Sequence, residues 1–337
     1  MIREAIAALV DGRSLTEAEA AAVMEEIMSG EATPAQFGAF VTALRLKGET
    51  VDEIAGMARV MREKARRVHV EGVLLDTCGT GGDARGTFNV STAAAFVAAG
   101  AGARVAKHGN RAMTSRCGSA DVLEALGARI DLSPEQVKAC LEETGVGFMF
   151  APSFHPAMKF AAGPRREIGV RTVFNNQGPL TNPAGAACQV LGVAEPSLAE
   201  TMAQVLARLG SRRALVVHGR DGLDEMSISG PTLVCELVEG CVRQYEVTPK
   251  EVGLALYEAA SVAGGTPEEN AAALREVLAG RPGPQRDIVL LNAAAGLVAL
   301  ERAAALAEGV AQAAEAIDSG AARERLERFV AVTNSFQ

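Results

Sequence analysis

Hydrophobic positions in the first seventy residues recur with helical spacing, and each such stretch opens with a threonine followed three residues later by Glu or Gln. In this capping box the threonine hydroxyl accepts a free N–H of the first turn, while the longer side chain reaches back to the cap residue. We therefore expect consecutive helices over residues 1–70, opening at three pairs: Thr16 with Glu19, Thr33 with Gln36, and Thr50 with Glu53.

After His69 the pattern changes to short β-branched or apolar runs separated by glycine loops and alanine-rich segments. Strands that alternate with helices favour a mostly parallel sheet with helices on its flanks. The strands are expected at residues 73–75, 104–106, 145–150 and 214–217. Further helices are expected after Ser133 with Gln136, after Thr266 with Glu269, and continuously over residues 287–330.

This organisation predicts an α/β protein with an N-terminal helical domain, residues 1–70, ahead of an α/β catalytic domain, residues 71–337. A segment near residues 164–184 is expected to pack back on the helical domain. Because ligands favour clefts between domains, we expect the functional site where strand ends face the helical part.

Composition narrows the possible functions. Of 337 residues, 48% are hydrophobic and 22% are charged, as in ordinary globular proteins. A net charge of -8 argues against a nucleic-acid-binding surface, which needs clustered Lys and Arg. The six cysteines contain no CxxC pair, which disfavours a zinc or redox motif. The apolar runs at 93–103 and 288–300 are too short to span a bilayer, and residues 1–10 do not resemble a secretory signal, so a cytoplasmic location is expected.

The strongest local motif is the glycine loop at residues 76–83, DTCGTGGD, which is expected to follow a strand. Residues 87–92 come next, at the start of an alanine-rich helix. Glycines let backbone N–H groups approach an anion, and a helix start adds partial positive charge, so the loop suits a phosphate or pyrophosphate. A tight turn that binds nothing is an open alternative. Gly79, Gly81 and Ala84 also fit a loose dinucleotide pattern, which lacks the acidic residue expected about 20 positions later.

Two further segments could bind phosphate or its metal. Residues 107–111, KHGNR, and 114–121, TSRCGSAD, combine cations, hydroxyls and glycines in what we expect to be a loop after a strand. Residues 218–225, HGRDGLDE, bring three carboxylates together, which suits Mg²⁺ bound jointly by protein and substrate phosphates. Considered alone, residues 107–121 could be a solvated basic loop, and residues 218–225 could be a cluster of surface carboxylates.

Pro164, Arg165 and Arg166 are expected to open a helix that runs to Arg171. The planar guanidinium of arginine matches a carboxylate, although a salt bridge on a helix surface is the competing interpretation. The four histidines form no metal motif, and no serine hydrolase triad is recognisable.

Together these segments resemble the anthranilate phosphoribosyltransferase family, in chain order and over nearly the whole sequence. The resemblance implies a nucleoside phosphorylase/phosphoribosyltransferase-like fold, a homodimer joined through the helical domain, and tryptophan biosynthesis. The implied reaction transfers the phosphoribosyl group of phosphoribosyl pyrophosphate (PRPP) to the amine of anthranilate, with Mg²⁺ as cofactor. The segments that carry it are 79–83, 107–111, 118–127, 171–183 and 221–225.

The resemblance also implies roles for individual residues. Those that would bind PRPP are Gly79, Gly82, Asp83, Thr87, Asn89, Val90, Ser91, Thr92, Lys107, His108, Gly109, Asn110, Arg111, Ser115 and Ser119. Those that would contact anthranilate are Gly79, Asn110, Arg165, His155 and Gly178, with Arg165 on its carboxylate. Those that would bind Mg²⁺ are Ser91, Asp224 and Glu225. No residue is expected to act as a general acid or base.

The chain departs from the family pattern at Thr114, where serine is usual, at Phe160, where a polar residue is frequent, and at Asn176 with Gln177, where apolar residues are common. Two other functions compete with the transferase. A pyrimidine nucleoside phosphorylase would share the scaffold, but the basic segment at residues 107–111 and Arg165 favour the transferase. A non-enzymatic relative that binds nucleic acid is disfavoured by the net charge of -8 and the intact pair Asp224 and Glu225.

Overall fold

The computed structural model describes residues 1–83, 85–112 and 115–336. Its N-terminal part is a helical bundle, as the sequence predicts: α1 (Ile2–Val10), α2 (Glu17–Ser29), α3 (Pro34–Lys47) and α4 (Val51–Lys64). The three predicted capping boxes form, because each threonine hydroxyl accepts the N–H three residues later and that residue's side chain accepts the threonine N–H. The predicted helix starts are therefore confirmed.

A buried ion pair fixes the start of α4. Glu53 is 0% exposed and accepts three hydrogen bonds, from the Leu15 N–H at 2.9 Å, the Thr50 N–H at 2.8 Å and the Lys47 ammonium at 3.0 Å. One carboxylate thus joins α4 to the chain before α2 and to the end of α3.

Replacing Glu53 with glutamine should lower the free energy of unfolding by about 2 kcal/mol, because buried hydrogen bonds to a charged group are lost. Glu25→Gln is the matched control: its partner Lys64 and Glu25 itself are both partly exposed, so a change within about 0.5 kcal/mol is expected. Urea unfolding of both variants measures the difference, and equal effects would contradict the role given to Glu53.

The α/β part is built on one seven-stranded sheet with strand order β3-β2-β1-β4-β5-β6-β7. The first five strands in that order are parallel, and β6 and β7 continue the sheet antiparallel. The mostly parallel sheet expected from the sequence is confirmed. The strands are β1 (Leu75–Gly79), β2 (Val105–Gly109), β3 (Val146–Phe150), β4 (Cys188–Gly192), β5 (Arg213–Gly219), β6 (Thr232–Val238) and β7 (Cys241–Val247).

The structure corrects several strand assignments. The first two strands extend further toward their carboxyl ends than expected, so residues 76–79 and 107–109 are strand, not loop. His218 and Gly219 likewise end β5. Strands β4, β6 and β7 were not expected from the sequence. The motifs therefore begin inside the sheet, whose backbone hydrogen bonds fix the positions of their first residues.

Helices cover both faces of the sheet. They are α5 (Val90–Gly100), α6 (Ser119–Ala125), α7 (Pro134–Thr144), α8 (Ala151–Phe154), α9 (Lys159–Ile168), α10 (Val173–Gln177), α11 (Leu198–Arg208), α12 (Pro267–Leu278), α13 (Pro284–Ala299), α14 (Leu306–Asp318) and α15 (Ala321–Ser335). The predicted boxes at Ser133 and Thr266 cap α7 and α12. The continuous helix expected over residues 287–330 is wrong, because the chain turns at residues 300–305 and 319–320.

The helix expected to open at Pro164 is also wrong. It begins five residues earlier, contains Pro164 in its interior and ends at Gly169, which has a left-handed backbone conformation with φ of 69°. Gly163 precedes the proline and has no Cβ to clash with the proline ring. This helix, α9, packs against α2 and α3, and α10 packs against α3 and α4. The division of the chain near residue 70 stays a prediction.

The cysteines are all free, and all six lie in the described part of the chain. Five are buried, and Cys241, at the start of the edge strand β7, is exposed. Within the described residues, no helix has the length and apolar character needed to cross a membrane.

Candidate active site

The site lies at the carboxyl ends of the parallel strands, where the loops after β1, β4 and β5 meet. Gly79 and Gly192 are paired across β1 and β4, and both lie against Asp224. A Cβ on Gly79 would lie 2.5 Å from Asp224 Oδ2, and a Cβ on Gly192 would overlap the Asp224 carbonyl oxygen. The Gly81 N–H donates to Asp224 Oδ2 at 2.8 Å. Glycines thus allow the acidic loop to approach the strand ends closely.

The metal ligands expected from the sequence come together here. The Ser91 N–H, in the first turn of α5, donates to Glu225 Oε1 at 3.2 Å. The Lys107 ammonium, on β2, donates to Ser91 Oγ at 3.2 Å and to the Thr77 carbonyl. Lys107 is only 3% exposed, so it lies beneath Ser91 and supports it from inside the sheet.

The two carboxyls of this acidic pair, Asp224 and Glu225, are half-buried, and the charge of Asp224 acts on Glu225. Burial, the Asp83 charge and a hydrogen bond with Asp83 raise the pKa of Asp224 to about 6, against the donation from Gly81. Burial and the Asp224 charge raise the pKa of Glu225 to about 8, although Lys107 opposes that rise. A divalent cation would relieve this repulsion, and carboxylate and hydroxyl oxygens are the ligands that Mg²⁺ prefers. The residues present therefore fit the expected metal.

Among residues 1–83, 85–112 and 115–336, no group of three His, Cys, Asp or Glu side chains is arranged to hold a metal ion. A site built on Ser91, Asp224 and Glu225 has only two such side chains, so it needs oxygens from elsewhere. Mg²⁺ usually keeps several waters and binds one or two carboxylates together with substrate phosphates. This is the composition expected when the substrate completes the coordination.

The stability of the metal-free protein should fall as pH rises between about 4.5 and 8, through the contribution of Glu225. Its pKa is raised on folding, so in this window the folded state keeps a proton that the unfolded state has lost. Glu225→Gln should remove this part of the slope. Urea unfolding at pH 5, 6.5 and 8 with a chelator tests it, and parallel pH profiles for wild type and variant would contradict it.

The start of α5 carries five of the residues expected to bind PRPP, and its neighbours hold it firmly. The Asn89 carboxamide donates to the Cys117 carbonyl at 3.2 Å and accepts from Asn270 at 2.9 Å. Thr87 forms an isolated antiparallel bridge with Ala263. Asn270 is 2% exposed, and nothing in the sequence pattern singled it out. Val90 and Thr92 are buried, so Val90 could reach a ligand only through its backbone.

The loop after β2 is arranged around Asp121. This carboxylate accepts from the Ala112 N–H at 2.9 Å, from the Gly118 N–H at 2.8 Å and from Arg111 at 3.1 Å. Arg111 is exposed and also pairs with Glu124, so its charge is largely neutralised within the loop. The remaining residues expected to bind PRPP here are at the surface or half-buried: Gly109, Asn110, Ser115 and Ser119.

Arg165 is half-buried on α9 and lies over the Phe174 ring, with 5.5 Å between the guanidinium carbon and the ring centroid. Phe174 in turn packs on Phe37 of the bundle, at 5.3 Å between ring centroids. Burial lowers the pKa of Arg165, yet an arginine remains protonated at neutral pH. Within the described residues no carboxylate pairs with it, so the cation is available for an acid.

His108 and His155 are buried and pack against each other, with 5.0 Å between their ring centroids. His108 Nδ1 lies 3.1 Å from the Gly178 carbonyl, which can only accept, so this nitrogen carries the proton. Burial lowers the pKa of His108 to about 3 and that of His155 to about 4. Both rings are therefore uncharged at neutral pH, although their ring nitrogens can still form hydrogen bonds.

The departures from the family pattern affect packing between the two halves. Phe160 lies against Gly30 of the bundle, where a Cβ would come within 2.7 Å of its ring. Gln177 is 0% exposed and donates to the Ile54 carbonyl at 3.3 Å, which joins α10 to α4. Thr114, and Ala84 of the dinucleotide pattern, lie outside the described residues.

Comparison with known proteins agrees with this geometry. A family model described as "Glycosyl transferase family, helical bundle domain" matches residues 3–65, and one described as "Glycosyl transferase family, a/b domain" matches residues 71–323. The chain is 58% identical to anthranilate phosphoribosyltransferase of Moorella thermoacetica, over 100% of this chain and 99% of the relative. It is 61% identical to that of Chloroflexus aurantiacus, over 98% of each.

Solved structures give the same result. Anthranilate phosphoribosyltransferase from Thermus thermophilus superposes with a TM-score of 0.93 at 50% identity, covering 98% of this chain and 99% of that one. The Saccharomyces cerevisiae enzyme in complex with PRPP and Mg superposes with a TM-score of 0.92 at 30% identity, covering 99% and 98%. The chain belongs to the glycosyl transferase family and, within it, to the anthranilate phosphoribosyltransferases.

Proposed function

We propose that the protein transfers the phosphoribosyl group of PRPP to the amine of anthranilate, giving N-(5-phosphoribosyl)anthranilate and pyrophosphate, as a step of tryptophan biosynthesis. The observation that carries the proposal is the convergence of a glycine loop, Ser91 and the acidic pair at one edge of the sheet. A diphosphate with its metal fits that edge. Arg165, on the segment packed against the bundle, supplies a separate cation for a carboxylate.

The chain's own residues do three things in this reaction. Ser91, Asp224 and Glu225 would hold Mg²⁺, which when bound would neutralise the negative charge that builds on the departing pyrophosphate. The backbone of the glycine loop and the start of α5 orient the diphosphate. Arg165 pairs with the anthranilate carboxylate and aims the amine at the ribose carbon. An aromatic amine is unprotonated at neutral pH, so the attack needs no strong base.

Loss of anthranilate fluorescence on mixing protein, Mg²⁺ and PRPP tests the proposal. The chain has no Trp and only two Tyr, so protein emission interferes little. A decay that requires both Mg²⁺ and PRPP is expected. Folded protein that leaves anthranilate unchanged would contradict the proposed function.

Arg165→Ala should raise KM for anthranilate by about tenfold to a hundredfold, because a charged hydrogen-bonding partner of the carboxylate is lost. KM for PRPP should change little, since Arg165 is not expected to bind that substrate. Lys159→Ala, an exposed cation at the start of α9, is the control. Equal changes in the two KM values would contradict the assignment.

We also propose a homodimer joined through the bundle. Val10, at the end of α1, is 71% exposed, and Leu46, near the end of α3, is 83% exposed, which is unusual for large apolar side chains. The two helices that carry these residues pack against each other. Leu46→Glu should shift the protein toward monomer in sedimentation equilibrium. The cytoplasmic location stays a prediction.

A further inference from the structure

Arg171, between α9 and α10, lies against the glycine loop. A Cβ on Gly82 would overlap the Arg171 guanidinium, so that group rests directly on the loop backbone. Gly82 has a φ of 80° and Gly81 a φ of 64°, so the loop turns there, and neither residue has a side chain of its own to keep a neighbour away from the backbone. Arg171 is half-buried at this contact.

No acidic side chain neutralises the charge of Arg171. Every Asp and Glu of the chain lies in the described residues, and none is within ion-pair distance of its guanidinium. Two other half-buried arginines differ in this respect, because Arg213 pairs with Glu236 and Arg62 donates to two carbonyls. A half-buried arginine without an acidic partner, seated on a glycine loop, is arranged to receive an anion.

The position of the loop indicates which anion this is. The Gly81 N–H, one residue before the contact, donates to Asp224 Oδ2 at 2.8 Å, and a Cβ on Gly79 would lie 2.5 Å from the same oxygen. An anion at Gly82 is therefore next to the acidic pair. Mg²⁺ usually binds one or two carboxylates together with substrate phosphates, so an Mg²⁺ held by that pair would place the diphosphate, and not the 5′-phosphate, next to Arg171.

Arg171 also comes from a segment that is attached to the bundle. It follows α9 and precedes α10, and both of these helices pack against the bundle helices. Arg165, six residues earlier on the same segment, is the cation proposed above for the anthranilate carboxylate. One bundle-anchored segment thus presents two cations, one for each substrate.

We propose that Arg171 binds the diphosphate of PRPP and holds it against the glycine loop, which ties the diphosphate to the helical half of the protein. The proposal rests on the proposed function. Because negative charge builds on the diphosphate as it departs, the guanidinium contributes more to the transition state than to the substrate complex. Inorganic pyrophosphate, as the released product, should bind through the same contact.

The test compares Arg171→Ala and Arg171→Lys with wild type in calorimetric titrations with Mg²⁺-pyrophosphate and Mg²⁺-PRPP. Arg171→Ala should weaken both affinities by about tenfold to a hundredfold. Arg171→Lys should lose less affinity, because lysine keeps the positive charge but lacks the planar guanidinium that binds two oxygens at once. The kcat/KM for PRPP should fall at least as much, while KM for anthranilate stays within about twofold. Lys159→Ala should match wild type.

The outcomes separate the possibilities. Affinity of Arg171→Ala for pyrophosphate equal to that of wild type overturns the role of Arg171. A KM for anthranilate that rises as much as the KM for PRPP also overturns this role, because it indicates that the substitution disrupts the whole site. Arg171→Met keeps the side-chain length and replaces the alanine variant if that one does not fold. Wild-type protein that neither binds PRPP nor consumes anthranilate overturns the proposed function itself.

Discussion

Glu225→Gln should lower kcat/KM for PRPP by about a hundredfold to a thousandfold, the range seen when one group that stabilises transition-state charge is removed. Glutamine keeps the shape and can still accept from the Ser91 N–H, as Glu225 does at 3.2 Å. What it removes is the negative charge that attracts Mg²⁺. The Mg²⁺ concentration for half-maximal rate should therefore rise together with the loss of turnover.

The control for this variant is Glu258→Gln, at an exposed carboxyl of the same α/β part. Its rate and Mg²⁺ dependence should match wild type. Rates are measured by anthranilate fluorescence at several Mg²⁺ concentrations. If Glu225→Gln kept both wild-type turnover and the wild-type Mg²⁺ dependence, the acidic pair would not be the metal site, although the protein could still be a transferase.

Gly192→Ala should destabilise the fold by about 3 kcal/mol and greatly reduce turnover at the same time. The added Cβ would overlap the backbone carbonyl of Asp224, which cannot move aside as a flexible side chain could. Either β4 shifts between its neighbours β1 and β5, or the loop that carries the acidic pair moves outward. A shift of β4 lowers the stability of the fold, and an outward movement of the loop displaces the proposed metal ligands.

Gly230→Ala is the matched control, because its backbone conformation is ordinary and nothing lies within 4 Å of an added Cβ. Denaturant midpoints and fluorescence rates for the two variants measure both effects. A Gly192→Ala protein with wild-type stability and turnover would show that the acidic loop does not depend on this close approach.

The helical part could be predicted well because its signals are local. A threonine and a Glu or Gln three residues apart make the capping box by themselves, and the boxes at Thr16, Thr33 and Thr50 all form. Pro164 led to a wrong helix start because the prediction again relied on a local signal. Proline favours the first turn of a helix, but α9 begins at Lys159, packs on the bundle and continues past Pro164. Tertiary contacts outweighed the local preference.

The sheet was harder to predict. Residues 76–79, DTCG, have the composition of a loop, yet Asp76 is 0% exposed inside β1 and accepts from the His108 N–H at 3.3 Å. A buried strand that ends in glycine at a site cannot be told from a loop by composition. The motifs were nonetheless placed at the right edge, because the carboxyl ends of parallel strands meet there.

Two features of the site depend on contacts between distant parts of the chain, and no spacing rule could reveal them. Asp224 approaches Gly192 only because the chain crosses over from β4 to β5. The contact between Arg171 and Gly82 depends on the packing of α9 and α10 against the bundle. Asn270 was missed for the same reason, since it reaches Asn89 from α12. Such residues become visible only when the fold is known.

The distribution of the cysteines offers a practical route to these measurements. Cys241 is exposed on β7, while the other five cysteines are buried, which raises the pKa of each thiol and keeps it poorly reactive. A maleimide dye should therefore label the native protein at one position, without any engineered cysteine. Because β4, β5 and β6 separate β7 from β1, a dye there would label the protein away from the strand ends proposed to bind the substrates.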